Sequence, residues 1–267
     1  MTDFPSAIKI SDEEPSKRLA VLIDADNAQP SVIEALLEEV ALFGDAIVRR
    51  IYGDFTLPAS ATWKTFLNKY SIKAIQQFAY TTGKNAIDST MIIDAMDLLY
   101  TRRLDGFCSV TSDSDFTGLA VRLREEGLLV YGFGEQKTPE AFRNACHKFI
   151  FTEVLRPASK KATPMNSSAH IDNTNAKQSQ GSTPSLIFPA DFLMEALTKS
   201  LDESGWSNLG TFGSYLQKIQ PDFDTRIYGF KKLSDLVKGN PSIFDIQERD
   251  GPGGQHKILY VRAKNSV

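Results

Sequence analysis

The stretch GFCSVTSDSDFTGLAVRLREE, residues 106–126, changes its periodicity halfway along. GFCSVTS is a short, nearly continuous apolar run, as expected for a strand buried on both faces. FTGLAVRLREE spaces its apolar residues as a helix does. Between the two stand Asp113 and Asp115. Carboxylates that close repel and raise each other's pKa unless water, a basic side chain or a metal ion neutralises them. An isolated DxD at the end of a strand is common in solvated loops, so its neighbours in the fold must decide.

Outward from this unit the same alternation repeats. LAVLI (19–23) is a wholly apolar strand, and Pro30 opens a helix that Gly44 ends. AIVRRIYG (46–53) reads as a strand, ATWKTFLNKY as a helix and IKAIQQF (72–78) as a third strand. Residues 87–103 form the longest helix, LLVYGFG (128–134) the fifth strand, and a final helix covers roughly 139–155. Strands alternating with helices predict a doubly wound parallel sheet of the α/β class, with helices on both faces. Ligands in such sheets bind beyond the carboxyl ends of the strands, at the point where the strand order reverses.

That rule draws in further carboxylates. Asp24, Asp26 and Asn27 follow LAVLI directly in LIDADN. If the first and fourth strands are neighbours, LIDADN and VTSDSDF lie side by side. On the long helix, Asp88 shares its face with Met91, Ile92, Ala95 and Leu99, the stripe expected to face the sheet. A carboxylate in a first helical turn also suits the helix dipole, which is the plainer reading of Asp88. Asp94 and Asp97 point elsewhere and are expected to be solvated. Five acidic groups at one sheet edge cannot all ionise without a cation, and hard oxygen donors select Mg²⁺ or Mn²⁺. Carboxylate-held Mg²⁺ is the common apparatus of phosphoryl transfer. Lys84, in TTGKNAID, is a candidate phosphate contact. Other DxD chemistries fit less well. A haloacid-dehalogenase-type phosphatase would place Thr or Val where LIDADNA has Ala28, and a glycosyltransferase would need a larger donor domain.

Composition sets the remaining bounds. The 267-residue chain is 42% apolar and 24% charged, the balance of a folded protein. Two cysteines and three histidines offer neither a disulfide framework nor zinc spacing. The polar, acidic residues 1–17 are expected to be disordered and resemble no leader, and no apolar run reaches membrane-spanning length. A cytoplasmic location follows as the expectation. The net charge of −3 is unevenly spread. Residues 1–155 carry 16 basic and 22 acidic residues, 156–185 four and one, and 186–267 ten of each. Residues 156–185, rich in Ser, Thr, Asn and Pro, read as a flexible linker between domains at 18–155 and 186–263.

LIDADN, KNAIDSTMIID and VTSDSDF, in this order, resemble an NYN domain of the PIN-like nuclease superfamily, in its LabA-like branch. The resemblance covers roughly residues 18–154. It implies a metal-dependent ribonuclease with Asp24, Asn27, Asp88, Asp113 and Asp115 in the site, hydrolysing RNA phosphodiesters. Asp24, Asp88 and Asp113 are expected to hold Mg²⁺ or Mn²⁺, and Asp115 a second ion or the attacking water. Asn27 is expected to bond the phosphate or fix Asp24. Asp26 stands where the family often has a small residue, and Asp94 matches a family acidic position, so both are secondary. The alternative is a non-catalytic RNA-binding or interaction adaptor that keeps the fold.

The last 80 or so residues, with WSNLGTFGSYLQKIQPDFDTRIYGFKKLSDLVKGNPSIFDI, resemble an OST-HTH/LOTUS domain, a small α+β winged helix associated with RNA. FPADFLMEALTKSLD, TFGSYLQKI and YGFKKLSDLVKG read as helices, and IFDIQERDGPGGQHKILYVR as a hairpin. Phe212, Tyr215, Leu216, Phe230, Leu233 and Leu236 are core by their spacing. Lys218, Arg226, Lys231, Lys232 and Lys238 form a candidate phosphate-contacting face. RNA is therefore the expected partner, with a homodimer or a protein partner through the LOTUS module as further expectations.

Overall fold

In the computed structural model the described residues are 15–56, 62–78, 86–156, 188–250 and 257–264. The chain divides into two compact units, Met1–Phe133 and Gly134–Val267. Lys84, nearly all of the expected linker and most of residues 1–17 lie outside the described residues.

The strands are β1 (Arg18–Asp24), β2 (Asp45–Gly53), β3 (Lys73–Gln76), β4 (Gly106–Val110), β5 (Leu129–Gly134) and β6 (Lys148–Phe151). They form one sheet in the order β3-β2-β1-β4-β5-β6. β1 pairs in parallel with β2 and with β4, β2 with β3, and β4 with β5. The strand order therefore reverses between β1 and β4, and their carboxyl ends adjoin. In β1 every residue after Arg18 is buried, and β4 is buried throughout, which is why both read as unbroken apolar runs. The connecting helices are α1 (Ile33–Ala41), α2 (Trp63–Lys69), α3 (Ala86–Tyr100), α4 (Thr117–Glu125) and α5 (Glu140–Ala145). α3 packs on β1 and β2, burying Met91, Ala95, Leu98 and Leu99.

One expected element is different. The helix anticipated over roughly 139–155 is the short α5, then β6, then a 3₁₀ turn at Thr152–Leu155. Phe149, Ile150 and Phe151 are buried in succession, which a strand covered on both faces allows and a surface helix does not.

The C-terminal domain contains α6 (Ala190–Lys199), β7 (Ser207–Asn208), α7 (Leu209–Ile219), α8 (Leu233–Gly239), β8 (Phe244–Asp250) and β9 (Lys257–Ala263). Its antiparallel sheet has the order β7-β9-β8. Leu193, Leu197, Phe212, Leu216, Leu236, Val237, Phe244 and Val261 form its core, with Tyr215, Phe230 and Leu233 packed against it. Asn208 caps α7 by accepting from the Gly210 N–H at 2.8 Å. The third helix is shorter than expected. Residues Thr225–Tyr228 make a 3₁₀ turn that ends at Gly229, whose φ of 84° lies in the left-handed region.

Candidate metal centre

β1 ends in Asp24, in register with Tyr52 of β2 and beside the end of β4. The chain turns there at once. The Asp26 N–H donates to Asp24 Oδ1 at 3.0 Å, and the Ala28 N–H to the Asp24 carbonyl at 2.9 Å. This local turn explains the Asp and Asn content of LIDADN. The loop also closes on β2, where the Ala25 N–H donates to the Tyr52 carbonyl at 2.9 Å. A Cβ on Gly53 would stand 2.7 Å from the Ala25 Cβ, so this approach requires glycine.

Asp24 is 1% exposed, and three donors hold its carboxylate. Besides the Asp26 N–H, Asn27 Nδ2 donates to Oδ2 at 2.7 Å and the Thr111 hydroxyl to Oδ2 at 3.0 Å. Burial raises the Asp24 pKa above the usual carboxylate range, and these hydrogen bonds counter the rise without cancelling it. Asn27 thus fixes Asp24, one of the two roles expected for it.

Thr111, which the sequence reading overlooked, links the two acidic loops. It is 1% exposed, donates to Asp24, and accepts from the Asp113 N–H at 3.1 Å. Asp113 in turn accepts from the Asp115 N–H at 2.9 Å, capping the 3₁₀ turn Ser114–Phe116. A chain of hydrogen bonds therefore runs from β1 to VTSDSDF.

α3 adds Asp88 from its first turn. Asp88, Asp113 and Asp115 each present an oxygen within 4.8 Å of the others, the one such group of potential metal ligands among the described residues. Asp24, expected as a metal ligand, is not part of this trio: its oxygens are engaged by Thr111, Asn27 and the Asp26 N–H, and its charge reaches Asp88. Asp26 is exposed, and its charge reaches Asp24 and Asp88. Asp88 is pushed up to about 6, first by burial and then by the charges of Asp24, Asp113, Asp115 and Asp26. Three hard carboxylate oxygens at this spacing, repelling one another, are a donor set that fits Mg²⁺ or Mn²⁺.

Asp94 is not a solvated residue, as its helical position suggested. It pairs with the Arg50 guanidinium and accepts from the Tyr52 hydroxyl. β2 presents these two polar side chains to α3, so this part of the helix–sheet contact is ionic. Burial and the Asp94 charge push the Tyr52 phenol well above its usual range. Asp97 is exposed, as expected.

The residues anticipated as an RNA-contacting face behave differently from one another. Lys218, Lys231, Lys232 and Lys238 are exposed, and Lys238 lies 3.8 Å from Glu248. Arg226 is bound to Asp224, with Nε 3.0 Å from both carboxylate oxygens and Nη2 2.6 Å from Oδ2. Asp224 also caps the turn that carries Arg226, so this arginine is first of all a structural partner.

Comparison with known proteins agrees with this arrangement. The NYN domain family matches residues 18–155, from the start of β1 to the end of the 3₁₀ turn after β6. The chain belongs to the NYN domain family. An OST-HTH/LOTUS domain matches residues 185–255. A solution structure of an uncharacterized protein from Nitrosomonas europaea is 43% identical, covering 41% of this chain and 94% of that one, with a TM-score of 0.29. A crystal structure of a protein of unknown function from Vibrio parahaemolyticus is 16% identical, covering 51% of this chain and 93% of that one, with a TM-score of 0.43. No curated protein matches the chain. The NYN domain carries a nuclease-like fold with an acidic cluster at its strand-order reversal, and no helix among the described residues is long and apolar enough to cross a membrane.

Proposed function

We propose that this NYN protein is a metal-dependent ribonuclease that hydrolyses RNA phosphodiesters, with the OST-HTH/LOTUS domain as its tethered RNA-binding module. The observation that carries the reading is the convergence of Asp88, Asp113 and Asp115 from α3 and from the loop after β4, with ligand atoms within 4.8 Å. These three would hold Mg²⁺ or Mn²⁺, with the Asp24 charge acting on Asp88. A divalent ion held this way supplies an acidified water and neutralises charge on the phosphate.

The chain's own residues prepare that site. Thr111 and Asn27 fix the Asp24 carboxylate, and Thr111 sets the position of the Asp113 backbone. Asp113 holds the Asp115 backbone, so the two loop carboxylates enter as one rigid unit. Asp94, through Arg50 and Tyr52, ties α3 to β2 and so positions Asp88. The remaining acidic charge repels RNA at the carboxylate site until a cation is bound, which makes metal loading a condition for the phosphate to enter that site. Residues 156–185 serve as the tether between the two modules, with an effective concentration on the order of millimolar. Cys108 and Cys146 are both buried thiols, in keeping with a cytoplasmic location.

Purified protein incubated with a mixed RNA pool should cleave it with Mn²⁺ or Mg²⁺ and not with EDTA. Asp113→Asn should abolish cleavage and also the rise in melting temperature that the metal gives the wild type. Retained RNA binding without cleavage under any divalent metal would transfer the protein to the adaptor reading.

A further inference from the structure

The outer face of the three-stranded sheet carries side chains that neither the C-terminal core nor the carboxylate site uses. In the β8–β9 register, Ile246 faces Val261 and Phe244 faces Ala263; Val261 and Phe244 belong to the core, and Ile246 and Ala263 pack against it. The alternate pairs, Tyr260 with Gln247, Arg262 with Asp245 and Ile258 with Arg249, share the opposite face. β7 extends that face, with Asn208 opposite Tyr260.

Rings and guanidinium groups interleave there. Arg262 lies 4.6 Å from the centroid of Trp206, and Arg249 lies 5.5 Å from Trp206 and 4.2 Å from Tyr260. Trp206, Arg249 and Tyr260 are half-buried, and Arg262 is exposed. The ladder is fixed in advance. Asp202 accepts from the Trp206 N–H at 3.1 Å and from the Ser204 N–H and hydroxyl at 2.8 and 2.6 Å, which holds the loop bearing the indole. Asp245 accepts from Arg262 Nε and Nη2 at 3.2 and 3.1 Å, and Gln247 from Arg249 Nε at 3.1 Å. At the Arg262 end opens a cleft of about 440 Å³, lined by Leu201, Ser204, Gly205, Asp245, Arg262, Ala263 and Lys264.

We propose that this ladder is a binding surface for single-stranded RNA, with bases stacking on Trp206 and Tyr260 and phosphates at Arg249, Arg262 and Lys264. The inference rests on the RNA-binding reading given above and assigns it a stacking surface in addition to the lysines anticipated from the sequence. Every base has a π-face, and aromatic and guanidinium planes are the groups that stack on it. A duplex hides those faces, so the surface selects unpaired strands. Side chains already locked in place lose little freedom on binding, which favours recognition by a small patch. Asp245 and Asp202 offset part of the positive charge, so stacking, more than the long-range field, carries the affinity.

The test uses the full-length chain in EDTA, which removes metal-dependent binding and cleavage. The protein has two tryptophans, and Trp63 is buried at 4% exposure, so Trp63→Phe leaves Trp206 as the reporter. A mixed-sequence single-stranded 12-mer RNA should quench Trp206 emission, and the matching duplex should bind at least tenfold more weakly. Trp206→Leu should weaken single-strand binding roughly tenfold with an unchanged salt slope. Arg249→Gln with Arg262→Gln should weaken it comparably and flatten the slope; circular dichroism checks that both variants fold. Unquenched Trp206 with wild-type affinity in both variants would overturn this surface and leave the RNA-binding reading standing. Equal affinity for duplex would likewise overturn it. A wild-type protein that binds no single-stranded RNA would overturn both.

Discussion

Replacing Asp88 with Asn should stabilise the metal-free protein at neutral pH and remove its response to divalent metal. The carboxyl of Asp88 is pushed from its ordinary 3.8 to about 6, by burial first and by its acidic neighbours next. An acid whose pKa is raised on folding binds its proton more tightly in the native state, so ionising it lowers native stability. The loss is absent below about pH 4, grows between about pH 4 and 6, and is complete above that. Without screening such a rise would correspond to about 3 kcal/mol. Asp88 is only half-buried, and solvent screening reduces this to about 1 kcal/mol. Asn keeps the shape and removes the charge. Differential scanning calorimetry in EDTA should therefore show the variant melting about 3 °C higher than wild type at pH 7.5, and at the same temperature as wild type at pH 4. With Mn²⁺ the order should invert, because the wild type gains binding energy and the variant has lost a ligand. Identical melting of the two proteins at pH 7.5 in EDTA would show that the acidic groups do not interact, and the convergent site would fall.

Thr111→Val keeps the side-chain shape but removes the hydroxyl between Asp24 and Asp113; urea unfolding should show a loss of about 1–3 kcal/mol, and metal-dependent cleavage should fall with it. Asp94→Asn should also destabilise, by about 1–3 kcal/mol, because Arg50 and Tyr52 lose an ionised acceptor, and an unchanged unfolding midpoint would dismiss the tie between α3 and β2. Lys231→Glu with Lys232→Glu should lower RNA affinity and shrink its dependence on salt, measured by anisotropy across a salt series, while the quenching of Trp206 at saturation remains.

The parts of the fold that were legible are those where one physical demand dominates. LAVLI and GFCSV are buried on both faces and each is closed by a run of turn residues that separates it from a helical period, so the parallel sheet followed from their alternation with helices. Asp88 was legible for a related reason, since it interrupts a buried stripe and an interruption there needs a use. β6 was not, because KFIF directly after a helical segment has no turn residue to mark the change, and a short apolar run fits either element. Asp94 was misplaced by assuming that a helix face turned toward a sheet must be apolar. Nothing in a helical wheel reveals that β2 offers Arg50 and Tyr52 at that spot. Thr111 carried no signal at all, because a single hydroxyl at a strand end is ordinary in any sheet.

Asp24 and Asp88 divide the electrostatic burden of the site unequally, and the division follows from where each stands. Asp24 ends a buried strand, so its charge is tolerable only with donors arranged around it, and Asn27, Thr111 and the Asp26 N–H provide them. Those donors sit on the segments that immediately follow β1 and β4, so the sheet itself delivers them. Asp88 comes from a helix across the opening, and it meets the field of four other carboxylates. Its raised pKa records burial first and then a repulsion that no basic side chain offsets among its causes. Folding thus completes the Asp24 end of the site, and in the proposed function the Asp88 end is the one a cation would complete. A native state optimised for stability alone would have placed a lysine or arginine opposite Asp88, as it placed Arg50 opposite Asp94. The contrast between these two aspartates, six residues apart on one helix, separates the side chain that holds the fold from the one that the site uses.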